Sequence, residues 1–254
     1  MKGFHLIRGE GDAAKKAELL IYDTIGLDFW TSSGVTAKQV RDSLASLDGV
    51  DELAVRINSP GGDVSEGTAI YNALSRWPGR VVVHIDGMAA SVATLVAMAG
   101  DEIRTAENAM WMVHQPWTGA VGDAPEMRRV ADVLDRFWSA MLTTYSRRTG
   151  RRSETISNRV ERAGGEWWMT AEEAVKEGFS DAVEQPSKEA QVFGLSRFRN
   201  VPERLAASAE KDDAPRAPVA PQLIEVAAPR VERVPQEDLE QVRRRRIVDA
   251  LRLA

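Results

Sequence analysis

Ser91 is the residue in this chain best placed to act as a nucleophile. A hydroxyl attacks a carbonyl only when a base takes its proton, a third group orients that base, and donors wait for the oxyanion that forms. Ser91 lies where an apolar strand passes through Gly87-Met88-Ala89-Ala90 into a small-residue helix, so its side chain stands at a helix N-terminus beside free backbone N–H groups. Ala89, Ala90 and Ala93 let a substrate carbonyl approach closely. Alone, such a serine is ordinary, because Ser is a common N-cap at a tight turn. It gains company from Ser59-Pro60-Gly61-Gly62, whose glycines permit a turn that presents N–H groups outward, as an oxyanion hole requires.

A base near neutral pH points to histidine, and the chain has 3. His114 ends the strand-like run Ala109 to Val113 and precedes Gln115-Pro116, which stops regular pairing. His5 lies in the N-terminal stretch and His84 inside a valine-rich strand, so His114 is the better base. The third member must be a carboxylate that holds the histidine tautomer. Glu166 fits, in Gly164-Gly165-Glu166-Trp167-Trp168-Met169-Thr170, because the apolar residues after it would anchor and desolvate the loop; Asp181 and Asp63 remain alternatives. A Ser-Lys dyad has only Lys38 and Lys176 to draw on between Leu19 and Asp181, neither at a promising turn. With no cysteine there is no thiolate nucleophile, thiolate metal site or disulfide, and no His-Glu-x-x-His helix, Walker-type loop or Gly-x-Ser-x-Gly elbow occurs. No metal or cofactor is expected.

Alternating short strands and helices from Leu19 to about Ala182 must position these residues, an order that predicts an α/β fold with mainly parallel pairing. Leu19–Tyr22 reads as a strand. Thr36-Ala37-Lys38-Gln39 has capping-box spacing, and Val40, Leu44 and Leu47 share a helical face behind it. Leu53–Ile57 and Arg80–Ile85 are strands, each followed by a turn and a helix, so the Gly61-Gly62 and Ser91 turns fall at the same end of a sheet. A long amphipathic helix from about Ala124 to Arg148 carries Met127, Val130, Leu134, Phe137, Trp138, Met141 and Tyr145 as one stripe, destined for the core or for a neighbouring subunit. A helix from Ser153 to Arg162 follows, then a second capping box at Thr170–Glu173 opens a short helix ending at Gly178.

Composition bounds the rest. The formal net charge is -5, which argues against a nucleic-acid surface. Nothing in Met1–Glu18 reads as a secretory signal, and Gly87–Gly100 is too short to span a bilayer, so a soluble cytoplasmic protein without membrane contact is expected. Beyond Pro186, where 6 of the 11 prolines lie, Ala, Pro, Glu and Arg dominate as in a linker. Helical spacing returns near the end through Leu239, Val242, Val248 and Leu251, broken by Arg243–Arg246. The predicted organisation is an N-terminal segment 1–18, a catalytic domain 19–185 and a low-complexity tail 186–254, largely solvated with a short terminal helix.

Four segments in order resemble the landmarks of the ClpP-type serine peptidases, and more closely the ClpP-related head-maturation (prohead) proteases of tailed phages. They are Arg56-Ile57-Asn58-Ser59-Pro60-Gly61-Gly62-Asp63-Val64, Gly87-Met88-Ala89-Ala90-Ser91-Val92-Ala93, His114-Gln115-Pro116 and Thr170-Ala171-Glu172-Glu173-Ala174-Val175. The resemblance implies Ser91 as nucleophile, His114 as base, and the N–H groups of Gly62 and Val92 as oxyanion donors. Glu166 stands where housekeeping members carry aspartate, one methylene shorter. The fold implied is a crotonase-like spiral of strand-strand-helix units with a long helix interlocking homo-oligomeric rings. The implied activity is a serine endopeptidase acting on polypeptides, with capsid and scaffold precursors as its substrates. An ATP-dependent ClpP-type subunit, a catalytically silent capsid-assembly scaffold, and an acyl-CoA enzyme of the crotonase fold are the rival readings.

Overall fold

A computed structural model describes residues 4–9, 15–27 and 33–185, and the tail expected over 186–254 lies outside the described residues. Its elements follow the chain as β1 (Phe4–Arg8), β2 (Lys16–Ile21), α1 (Ala37–Ala45), β3 (Glu52–Ser59), α2 (Val64–Arg76), β4 (Arg80–Ala90) and α3 (Val92–Ala97). Then come β5 (Glu102–Ala106), β6 (Met110–His114), α4 (Ala124–Thr149), α5 (Ser153–Arg162), β7 (Glu166–Thr170), α6 (Ala171–Glu177) and β8 (Ala182–Glu184). The strands make a mixed sheet in the order β1-β2-β3-β4-β5-β8, with β6 joined to β4 and β7. Pairing is parallel from β2 through β8 and antiparallel at β1/β2 and β6/β7. Thr118–Val121 are not part of the compact unit that the other described residues make.

The parallel strands are buried because helices and loops cover them, and Leu53, Val55, Ile57, Val83, Ile85 and Ile103 are wholly enclosed. Both capping boxes form as their spacing predicts: Thr36 with Gln39 starts α1, and Thr170 with Glu173 starts α6. The two consecutive strand-turn-helix units, β3 to α2 and β4 to α3, run parallel side by side. Their turns therefore share one end of the sheet.

Four features depart from the sequence expectation. Phe4–Arg8 forms a strand that pairs with β2, which itself begins at Lys16 rather than Leu19. Charged residues on the solvent side of these strands hide the alternation, with Lys15 and Lys16 paired to Asp51 and Glu52. Residues 86–90 are not a turn but the far half of β4, which changes partner along its length. Val82–Ile85 pair with β5, and Met88–Ala90 pair with β6. The strands β5, β7 and β8 are further elements, too short and too rich in charge or tryptophan to show a period-two pattern.

The long helix α4 divides in two. Trp138, Met141, Leu142 and Tyr145 are buried, whereas Met127 and Val133 in its first half are 44% and 42% exposed. Behind the buried half, Tyr145, Phe179, Trp111, Trp138 and Trp167 form an aromatic cluster with tilted or edge-on contacts at centroid distances of 5.6 to 6.4 Å.

One buried ionic group braces the sheet near the site. The Asp86 side chain is 0% exposed and accepts from Arg56 Nε at 2.8 Å, from Arg56 Nη2 and from the Tyr22 hydroxyl. Burial, then the carboxylate, pushes the Tyr22 hydroxyl well above its ordinary range and keeps it a donor. Removing one partner from such a group leaves a charge stranded in the interior, so Asp86→Ala is expected to cost about 3 kcal/mol in urea unfolding. Asp42→Ala, which removes an exposed pair with Lys38, is expected to leave the urea unfolding midpoint unchanged.

Candidate active site

Ser91 joins β4 to α3 with φ 54° and ψ -131°, the only described residue other than glycine with positive φ. Such a conformation costs an L-residue roughly 1–3 kcal/mol and persists only where its surroundings over-determine it. Here the Ser91 N–H donates to the Met112 carbonyl at 2.8 Å, which ties it to β6. Its carbonyl accepts from the Thr94 N–H at 3.0 Å and from Thr94 Oγ1 at 2.5 Å. Thr94 Oγ1 has one proton and gives it to that carbonyl, so the Tyr145 hydroxyl 2.8 Å away is the donor to Thr94. Tyr145 is wholly buried and its pKa is raised by that burial, which suits a permanent donor.

The Ser91 hydroxyl does not cap the helix that begins beside it. It lies 2.7 Å from His114 Nε2 instead. His114 is the last residue of β6 and is buried. Burial lowers its pKa from the usual value, and the negative charge of Glu166 partly offsets this by raising it. The imidazole is thus neutral at neutral pH, with Nε2 free to accept a proton from Ser91 when the other ring nitrogen carries the hydrogen.

Glu166 does not stand in a glycine turn. It is the first residue of β7 and sits directly opposite His114 in the antiparallel register, also buried. Facing residues in such a pair hold their side chains on one face of the sheet with Cβ atoms about 5 Å apart. The alternatives are engaged elsewhere. Asp63 caps α2 by accepting from the Glu66 N–H at 2.8 Å, and Asp181 accepts from the Ile103 N–H at 2.7 Å while pairing with Arg148. His84 meets Glu184 at 2.8 Å on the sheet surface, and His5 is exposed on β1.

The glycine pair lies against the serine. A Cβ on Gly61, whose φ is +89°, would fall 2.6 Å from Ser91 Cβ and 2.7 Å from the Ala90 carbonyl oxygen. On either side of Gly62 the chain is fastened to Ile25: the Ile25 N–H donates to the Gly61 carbonyl and the Asp63 N–H to the Ile25 carbonyl, each at 2.9 Å. The Gly62 N–H takes no part in that pairing. Val92 is the first residue of α3, and the N–H of a first helical residue has no partner within its helix. Ser59 Oγ donates to the Asp23 carbonyl at 2.7 Å and accepts from the Gly61 N–H at 3.2 Å, which sets the turn.

The sequence alone gives Thr94 no role, and places Tyr145 only in the stripe of α4 and Trp168 only in the apolar run after Glu166. Thr94 could have been singled out, since Ser/Thr three residues after a turn residue commonly bonds back to its carbonyl. Trp168 donates from Nε1 to Glu166 Oε2 at 3.3 Å, and only the pairing of β7 with β6 puts the two on one face of the strand. Among the described residues no cluster of His, Cys, Asp and Glu is arranged to hold a metal ion. The arrangement can deprotonate a serine hydroxyl beside two backbone N–H groups.

The chain is similar to known proteins in sequence and fold. A family described as Clp protease matches residues 29–187. The ATP-dependent Clp protease proteolytic subunit of Leuconostoc citreum is 32% identical over 144 residues, which are 55% of this chain and 70% of that one. The subunit of the same description from Ligilactobacillus salivarius is 33% identical over 147 residues, 57% and 73% of the two chains. A point mutant of ClpP1 from Listeria monocytogenes shares the fold at a TM-score of 0.56 and 23% identity, over 67% of this chain and 91% of that one.

Three outcomes follow from the geometry. Gly61→Ala should drive Ser91 out of line with His114 and slow its labelling by a fluorophosphonate by about 10²-fold, without unfolding the protein as read by circular dichroism. The labelling rate should be flat above pH 6.5, the ordinary histidine value, and fall at lower pH as His114 protonates. Glu166→Gln removes the charge that raises the His114 pKa, so the falling limb should move to still lower pH while the plateau drops by about tenfold or more.

Proposed function

The chain belongs to the Clp protease family, and from that premise we propose that it is a serine endopeptidase working through Ser91, His114 and Glu166. The observation that carries this reading is the 2.7 Å approach of Ser91 Oγ to His114 Nε2 at a serine whose backbone is held at φ 54°. Ser91 Oγ attacks a peptide carbonyl carbon as its proton passes to His114 Nε2. The C=O electron pair moves to oxygen, and the N–H groups of Gly62 and Val92 bind the resulting oxyanion. Collapse of the tetrahedral species breaks the C–N bond, His114 returns the proton to the departing amine, and an ester to Ser91 remains. Water, deprotonated by His114, then releases the acid and restores the hydroxyl. Glu166 holds the imidazole and balances its transient positive charge.

The biological role in this proposal is maturation of a phage or prophage procapsid, with capsid and scaffold precursors as substrates and homo-oligomeric rings enclosing the sites. The resemblance of the four ordered segments to prohead proteases supports it. In such rings the exposed apolar first half of α4 is the surface that meets a facing ring, and work in the host cytoplasm or inside the procapsid fits a chain in which no described helix is long and apolar enough to cross a membrane. The second reading is a general proteolytic subunit fed by an ATPase, and the printed descriptions of the relatives from Leuconostoc citreum and Ligilactobacillus salivarius favour it. A silent assembly scaffold would not need a strained serine set against a buried histidine.

The test is fluorophosphonate labelling with intact-mass analysis. One adduct per chain is expected, absent in Ser91→Ala and slowed by about 10³-fold or more in His114→Ala. An unlabelled protein in ring-sized assemblies would overturn the peptidase reading in favour of the scaffold. Cleavage of co-expressed capsid and scaffold precursors without an ATPase would support maturation, and a strict need for an unfoldase would support the general subunit.

A further inference from the structure

The acid of this site is held by a longer arm than an aspartate would give it. Glu166 has one more rotatable bond than aspartate, so its own stem confines the carboxylate less than an aspartate's would. A carboxylate that wanders orients its histidine for only part of the time, and the barrier rises accordingly. Some contact must confine it.

Trp168 is placed to do so. Two residues along β7 from Glu166, it lies on the same face of the strand, opposite Met112 as Glu166 is opposite His114. Its indole is half-buried and its Nε1–H donates to Glu166 Oε2 at 3.3 Å. An indole N–H is a donor only, carried on a rigid ring. Met112, across from Trp168, also supplies the carbonyl that holds the Ser91 N–H, so the indole stands against the same strand segment that fixes the nucleophile.

We propose that Trp168 is a positioning residue for this reaction, acting through Glu166: its indole N–H holds Oε2 and keeps the longer carboxylate against His114. This rests on the serine peptidase reading above. The role needs the N–H and not merely an aromatic ring. Shape and donor can therefore be separated.

The experiment measures saturation kinetics of fluorophosphonate labelling of Ser91 in the full chain, giving a limiting rate and a half-saturating concentration for each variant. Trp168→Phe, and 3-benzothienylalanine placed at position 168 by amber suppression, both remove the donor, and the second keeps the indole shape so that packing and folding are preserved. Each is expected to lower the limiting rate by about three- to tenfold, the worth of one hydrogen bond, with the half-saturating concentration and melting temperature unchanged. In a Glu166→Gln background the same replacements should have no further effect. A wild-type limiting rate in the benzothienyl variant would overturn the proposal, as would an equal fall with and without the Glu166 carboxylate. Absence of any Ser91 adduct on the wild-type chain would instead remove the peptidase reading, and the positioning role with it.

Discussion

The backbone of Ser91 is the constraint on which the site depends. A left-handed serine is uphill by roughly 1–3 kcal/mol, and a local sequence of alanines does nothing to offset that. The offset comes from three directions in space: the Met112 carbonyl of β6, the Thr94 hydroxyl with Tyr145 behind it, and Gly61, whose missing side chain is the only reason Ser91 Cβ fits. The same twist swings the hydroxyl away from the helix N-terminus. A serine in ordinary extended geometry would cap α3 and be satisfied there. This one is left to His114, while the helix keeps an N–H to offer a ligand.

The partner strand settles the electrostatics. His114 and Glu166 end up opposite one another because β6 and β7 are antiparallel and in register at that pair. Burial alone would leave the imidazole a poor acceptor, since its charged form would be stranded in an apolar interior. The buried carboxylate opposes that penalty when the proton arrives. The aromatic cluster of Trp111, Tyr145, Trp167 and Phe179 gives both strands and α4 a stiff backing, so the two charges are held by packed rings as well as by ladder bonds.

Two surfaces contrast with that apolar interior. The first half of α4 leaves Met127 exposed and Val130, Leu134 and Phe137 only part-buried where the second half fills the core, so one continuous helical pattern serves two surroundings. On the sheet, Arg56 of β3 pairs with Asp86 of β4, Arg80 of β4 pairs with Glu102 of β5, which also takes Arg104 of its own strand, and His84 of β4 is hydrogen-bonded with Glu184 of β8. Pairs of this kind keep an open sheet wet at little cost where they are exposed, and brace it only where, as at Asp86, they are enclosed.

The sequence by itself determined the elements whose signals are local. The capping boxes at Thr36 and Thr170, the stripe of α4, the strand-turn-helix units around Gly61-Gly62 and Ser91, and His114 at a strand end all depend on neighbours within a few residues, and periodicity reads such neighbours directly. Tertiary structure alone decided what depends on partners distant in the chain. Phe4–Arg8 is a strand because β2 lies beside it, and β4 runs on through Gly87 because β6 takes over from β5 as its neighbour. Glu166 was legible as a carboxylate in the right stretch, but what sets it apart from Asp63 and Asp181 is register: it faces His114, whereas the other two are bound to backbone N–H groups elsewhere. The φ of Ser91 belongs with these, because no stretch of alanines encodes a left-handed serine. Strain of that kind exists only where packing from several segments leaves a side chain no other place to go.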